Sequence, residues 1–420
     1  MNDHDDFTSQ LTRSLTDHSD TMVGSHLGLA DVKGKARSIR RRRATGAMVA
    51  VAAAVAIIVP TIDLAGHTGG KPEPAPATQV TQAPSPTTPT QTASADDGTQ
   101  PPTGILDVRD LPTGPAPAIE YVDGGALHVP GTTDAAKAGT RYAPNQFVQM
   151  DDGARVWLTS HQGDFYVEIQ DADGSFRAPQ PSGMSLDVNE QHNVAAWLDR
   201  SGRVIVWEDR LHDPAPYGDP LPAGSEPSIA GVTGERCDLA CTVTVNTAGP
   251  AGWQPYEVGV DGTRKLTDGS FRIVDDVSAS GLTGGRTSLT DQGSCTKVLG
   301  GGDFPGWGTC DFQVERFAPD DSAIAAYPPY VEGFGSTGLA ILDTTGSVRW
   351  DRHSTVKSQA TVLSVAWEDP SHLLATVFQG GSWSVVRFGI DGHMEYAVPP
   401  ASGTDLENPF VLPVRPISGS

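Results

Sequence analysis

The sequence predicts an all-β protein, a β-propeller of about seven blades carried on one N-terminal membrane-spanning helix. Three observations lead there. After residue 104, short apolar stretches of strand type are split by Asp- and Gly-containing turns, with little helical periodicity. The turn centres, near 124, 152, 201, 237, 283, 320 and 369, lie about forty residues apart, the length of one four-stranded blade. An uncharged apolar run of 19 residues, 44–62, follows four consecutive arginines.

Residues 1–43 read as a cytoplasmic tail. Phe7, Leu11 and Leu15 stand at i, i+4 and i+8, one narrow apolar stripe of a short helix, and Asp3, Asp5 and Asp6 at its start suit the helix dipole. Alone in water so short a helix is marginal. The stripe is therefore a candidate docking surface for a cytosolic regulatory protein. The plainer alternative is a disordered tail touching lipid through its arginines.

The run 44–62 is long enough to cross a bilayer, since at ~1.5 Å per residue it spans roughly 28 Å against a hydrocarbon core of ~30 Å. Lys33, Lys35, Arg37, Arg40, Arg41, Arg42 and Arg43 crowd its N-terminal flank, while Asp63 closes the other. Positive charge is retained on the cytoplasmic side, so the chain is oriented N-terminus in and C-terminus out. A cleaved signal would need a short basic head and a small-x-small site after the core. Here the head is 43 residues long and Asp63 stands where cleavage would fall. The run is read as a retained signal anchor in the cell membrane.

Residues 63–104 form a stalk. From 67 onward the segment is rich in Pro, Thr, Ala, Gln and Ser and contains no aromatic residue, so it cannot bury enough apolar surface to fold. Charge also divides the chain at residue 43: eight Lys/Arg and six Asp/Glu precede it, leaving 21 basic and 45 acidic residues after it. An outer part of net −24 argues against nucleic acid as a partner.

Residues 105–420 are the expected propeller. Strands are expected at 154–158, 164–170, 193–198 and 203–207, with hairpin turns at 171–174, 199–202, 261–262, 343–346 and 391–392. Asp and Gly recur in those turns because tight hairpins need positive φ or a side chain that caps the turn. Six or eight blades also fit the length, and a pair of β-sandwiches would give similar short strands. Phe317-Ala318-Pro319-Asp320-Asp321 resembles the F-S-P-D-G core of TolB-like, WD40-like propeller repeats, with Ala for Ser and Asp for Gly. The other repeats are looser and the GH…WD signature is missing. The resemblance implies the fold over some 290 residues and carries over no catalytic residue. The layout of tail, span, stalk and propeller looks like that of actinobacterial envelope proteins. The tail is similar to the short cytoplasmic ends of membrane proteins that accompany extracytoplasmic-function sigma factors.

Four cysteines on the outer side read as two disulfides, and local pairing, Cys237 with Cys241 and Cys295 with Cys310, ties a loop shut in each case. A four-Cys zinc site would normally use CxxC pairs. No catalytic pattern survives inspection. Gly380-Gly381-Ser382-Trp383-Ser384 lacks the last glycine of a nucleophile elbow, and Gly300-Gly301-Gly302 lacks the Lys-Ser/Thr of a phosphate loop. Asp171-Ala172-Asp173-Gly174 lacks the remaining ligands of a calcium loop. Trp253, Trp307 and Trp350 lie near loops, where they would either pack between blades or form a ligand platform.

The expected function is a non-enzymatic, single-pass envelope protein without cofactor, whose outer propeller binds a protein or cell-wall component. The tail would make it a membrane-bound regulator or sensor. The alternatives are an extracytoplasmic propeller enzyme such as a glycosidase or lactonase, and a structural envelope scaffold.

Overall fold

The computed structural model describes residues 103–417, except 209–212, 223–225, 250–251, 267–269, 291–292, 302–303 and 332–334. The docking stripe, the four arginines, the span and all but the end of the stalk lie outside the described residues. Among the described residues no helix is long and apolar enough to cross a membrane.

Among the described residues the strands form six sheets. Four are consecutive antiparallel meanders over residues 226–265, 273–309, 313–353 and 361–402. A fifth joins Phe410–Val411 to Tyr121–Asp123, Ala126–His128 and Ala136–Lys137, so that the two ends of the described chain share one blade. The sixth carries seven strands, from Ala143–Gln149 to Ala215–Pro216. Its strand Gln180–Val188 pairs with Asp164–Gln170 at one end and with Val194–Asp199 along the other, and its register breaks between Ser182 and Leu186. That break divides the seven strands into two meanders sharing one strand.

The first strand of each meander touches the first strand of the next, from Phe410–Val411 through Ala143–Gln149, Gln180–Val188, Glu226–Thr233 and Ile273–Val277 to Gln313–Phe317. Thr361–Asp369 against Gly338–Asp343, and Ser382–Gly389 against Phe410–Val411, complete the circuit. This is a β-propeller whose first strands surround the axis.

Second strands lie face to face with neighbouring blades, so they are buried on both sides. Ala323–Tyr327 and the first five residues of Val194–Asp199 are wholly buried. Clean polar alternation is therefore lost where the blades stack. Six of the eight tryptophans are no more than 2% exposed, Trp350 among them, its indole N–H donating to Gly389 O across 2.9 Å. Trp307 donates to Thr344 O at 2.7 Å. Packing is thus the role of both, and Trp253 is half-buried along Gly252–Gly259.

The expected hairpins form. Gly174, Gly202, Gly262, Gly346 and Gly392 all take positive φ, and Asp199 and Asp343 accept the backbone N–H groups of the turns that they open. The turn at 201 joins second to third strands, however, whereas those at 152, 237 and 320 join first to second. The turn of the same class in that repeat is 189–193, one hairpin earlier. Both local disulfides are made: Cys237–Cys241 closes a first-to-second-strand turn, and Cys295–Cys310 ties the outer edge of the 273–309 sheet.

Before entering the ring, residues 103–120 run along its outside. Thr103–Ile105 adds a parallel strand to Val348–His353. Further on, Tyr396 N–H donates to Pro112 O and Gly114 N–H to Tyr396 O, both at 2.9 Å. Arg387, ion-paired with Glu368 and Glu395 at 2.5 Å each, donates to Pro115 O and Ala116 O. This strap covers the outer edges of two sheets.

Candidate functional site

Turns from first to second strands gather at one mouth of the axial channel. Asp151 N–H donates to His192 O at 2.8 Å, and Asn189 Nδ2 to Gly234 O at 2.8 Å. Ser278 Oγ donates to Asp321 Oδ2 at 3.0 Å. Each bond joins the turns of different blades, which stiffens the rim.

The motif Phe317-Ala318-Pro319-Asp320-Asp321 makes one of these turns, with Asp321 N–H donating to Ala318 O. Asp321 has φ +57°, where the family pattern has glycine. A short polar side chain tolerates that conformation. The replacement supplies the carboxylate that holds the neighbouring turn.

Residues after Phe410–Val411 enter this mouth. Val414 N–H donates to Phe147 O at 2.9 Å. Arg415 then reaches across the axis: its Nε donates to Asp187 Oδ1 at 3.1 Å, and its Nη2 to Asp276 Oδ1 and to Val277 O. Asp276 is almost fully buried, and its other oxygen accepts Phe317 N–H at 2.8 Å. Arg316 lies 3.9 Å from the same carboxylate. Burial pushes the Asp276 carboxyl up against the pull of Arg415 and Arg316, whereas the two aspartates hold the Arg415 guanidinium above its usual range despite burial.

Beside Arg415 lies a recess of about 390 Å³. Phe317, Pro319, Trp367 and Pro370 form its apolar wall, and Glu190, His192 and Arg316 its polar side. His192 Nδ1 donates to Gln149 O at 2.7 Å; burial holds its pKa below the usual value and opposes the effect of the backbone groups of Gln149 and Pro416. Burial also raises the Glu190 carboxyl, with Asp321 adding to the effect. The mouth can receive an extended segment with one cationic and one bulky apolar group.

Deeper in the channel wall Asp275 pairs with Arg286 at 2.7 Å. Burial pushes Asp275 up to about 6 and Glu315, on Gln313–Phe317, up to about 7. Asp275 Oδ2, Arg286 Nε and the Tyr327 hydroxyl have no hydrogen-bond partner among the described residues. At the opposite end, Tyr142 stacks on His161 and packs against Tyr166, each at 4.8 Å, and Arg200 lies over the Tyr166 ring.

Sequence reading singled out the motif at 317–321 but not its place at a mouth. Arg415, Asp187, Asp276 and His192 carried no local signal. Among the described residues no group of His, Cys, Asp and Glu is arranged to hold a metal ion.

No family model matches the chain, and neither does any curated protein. Solved structures similar to it include the WD40 repeats of RRP9, at 11% identity and TM-score 0.43, over 70% of this chain and 86% of that one. TolB from Acinetobacter baumannii is similar at 11% identity and TM-score 0.38, over 70% and 65%. A puromycin-hydrolysing peptidase of Mycobacterium tuberculosis is similar at 11% and 0.44, over 63% and 46%. Likenesses of that size carry no argument about the site. The fold assignment stands on the sheets themselves.

Proposed function

We propose that this chain is a single-pass envelope protein whose extracytoplasmic propeller binds a protein partner at the mouth built from 189–193, 278–282 and 318–322. One observation carries the reading: a stiffened rim surrounds a recess of about 390 Å³ with an aromatic and proline wall and charged groups beside it. That size falls in the range of preformed binding pockets. We read the ring as seven-bladed, the number that the repeat length favours, and the strand Gln180–Val188, paired on both sides with a register break, supports that reading.

The N-terminal layout supports anchoring. Arginines 40–43 hold the inner leaflet, 44–62 spans it, and the Pro/Thr-rich stalk holds the propeller clear of the membrane. The stripe Phe7, Leu11, Leu15 gives the protein a cytoplasmic contact, so that occupancy outside is reported inside. One span transmits little by itself, and dimerisation or proteolysis supplies the coupling.

The test is site-specific photo-crosslinking in cells. A photoreactive residue at Ala279, on the mouth, is expected to give a protein adduct, and one at Gly163, on the opposite face, is not. Adducts of equal yield at both positions, or none at Ala279, would sink the proposal. Native protein with a new amino terminus beyond residue 62 would remove the anchor.

A further inference from the structure

We propose that the mouth is a receptor for an arginine-bearing, proline-flanked protein segment, and that residues 412–417 fill it as an internal competitor. The inference rests on the mouth being a protein-binding site, and it names the chemistry of what binds.

The occupant already resembles a bound peptide. In Leu412-Pro413-Val414-Arg415-Pro416-Ile417 two prolines fix φ and restrict the residue before each, so the segment is extended before it docks. Preorganisation of that kind lowers the entropy lost on docking. Among the described residues, 414–417 make one backbone–backbone hydrogen bond, from Val414 to Phe147. The guanidinium supplies most of the remaining polar contact, to Asp187, Asp276 and Val277 O. These acceptors come from two different blades, so they recognise a cation placed on the axis.

Three features favour exchange over a permanent plug. Leu412 stays buried in the apolar cluster around Phe410, and 414–417 add no strand to any sheet, so release of those four residues leaves the blades intact. The recess beside Pro416 and Ile417 is only partly filled, with room for a bulkier neighbour of the arginine. The part of the chain after residue 43 is net −24, which draws in a basic segment rather than an acidic one. A guanidinium is also the cation best matched to carboxylates that it must meet with several N–H groups at once.

Binding of a labelled peptide, LPVRPIS, to the full-length protein in detergent micelles tests this by fluorescence anisotropy. A tethered competitor acts at an effective concentration on the order of millimolar, so Arg415→Gln should bind the peptide about tenfold or more tightly than wild type. The same peptide with norleucine for arginine should not bind. Equal binding by both proteins, or equal binding of both peptides, overturns the proposal. Should Arg415→Gln fail to fold, wild type decides: excess peptide is expected to accelerate hydrogen exchange at the Val414 amide, and unchanged exchange overturns it. Adduct formation at Ala279 together with failed peptide exchange would reject the arginine chemistry alone. Loss of the adduct would reject the binding mouth itself.

Discussion

The segments leading into and out of the ring, 103–120 and 412–417, tie it by opposite means. The strap is built into the fold: Leu106, Val108 and Ile119 are buried, Thr103–Ile105 extends a sheet, and Gln379 Oε1 accepts Val108 N–H at 2.7 Å. Its contacts are many, buried and spread over two sheets, through backbone and side-chain groups alike. In the exit segment Leu412 is buried in the apolar cluster around Phe410. The latch beyond it, 414–417, is held by one backbone hydrogen bond, the packing of Val414 and one guanidinium between two carboxylates. A tie made of many buried contacts lasts as long as the fold does. A tie made of one ion triad can open while the blades stay closed.

The largest expected effect strikes the strap. Arg387 is 7% exposed and Glu368 3%, and Arg387→Met leaves that carboxylate buried without its cation. The expected loss is about 3–5 kcal/mol in urea unfolding, with early proteolysis near 112–118. The exposed pair Arg109–Asp107 on the same segment is the contrast, and Arg109→Ala should leave the midpoint unchanged. A similar loss from both would mean that the strap is not distinguished by its buried ion pair. Next comes a sheet edge without a strap. Trp307–Thr309 is short and is held by Cys295–Cys310, separated by 15 residues, so replacing both cysteines with Ser should cost about 3 kcal/mol. The Cys237–Cys241 ring, with a separation of four, should cost less. The reverse order would show that strain or packing, not loop closure, sets the value.

How much of this was legible in the sequence differs between the two regions for the same physical reason. Turns are local: an Asp followed by a Gly three residues on specifies its own hydrogen bonds, so 171–174, 199–202 and 343–346 read correctly from sequence alone. The disulfides, four and 15 residues apart, were local enough as well. The repeat period was legible but its phase was not, since the turns at 189–193 and 199–202 are both polar and only the sheet register tells which follows a first strand. The latch was illegible because Arg415 meets Asp187 across 228 residues and Asp276 across 139. Packing between blades was the more common role to expect of Trp350 and Trp307 and is the one they have, whereas the buried Trp367 lines the recess, a placement set by blade stacking and invisible in composition.

A smaller effect is expected from the latch than from the strap. Arg415→Gln leaves Asp276 its bond from Phe317 and its proximity to Arg316, and water can enter at the mouth. The expected cost is about 1–2 kcal/mol, below that of Arg387→Met. A loss as large as the strap's would make the latch structural and would contradict its release.

The smallest effect expected lies deeper in the channel, and its sign depends on pH. Glu315 is pushed from 4.5 up to about 7 by burial, with Asp275 and Asp276 adding to the rise and Arg316 and Arg286 opposing it. The folded ring therefore holds this proton more tightly than the unfolded chain. The stabilisation is complete below pH 4.5 and is lost as pH rises toward 7, after which an ionised carboxylate stays in the wall. Glu315→Gln keeps the neutral form at every pH. It should match wild type near pH 4 and exceed it by about 1 kcal/mol at pH 8, measured by urea unfolding at both. Asp275, pushed up to about 6, is in place in both proteins, so its own titration cancels to first order in the difference. An advantage equal at the two pH values would trace the gain to packing instead. An advantage confined to high pH would place an ionisation cost in the channel wall, below the mouth that Arg415 closes.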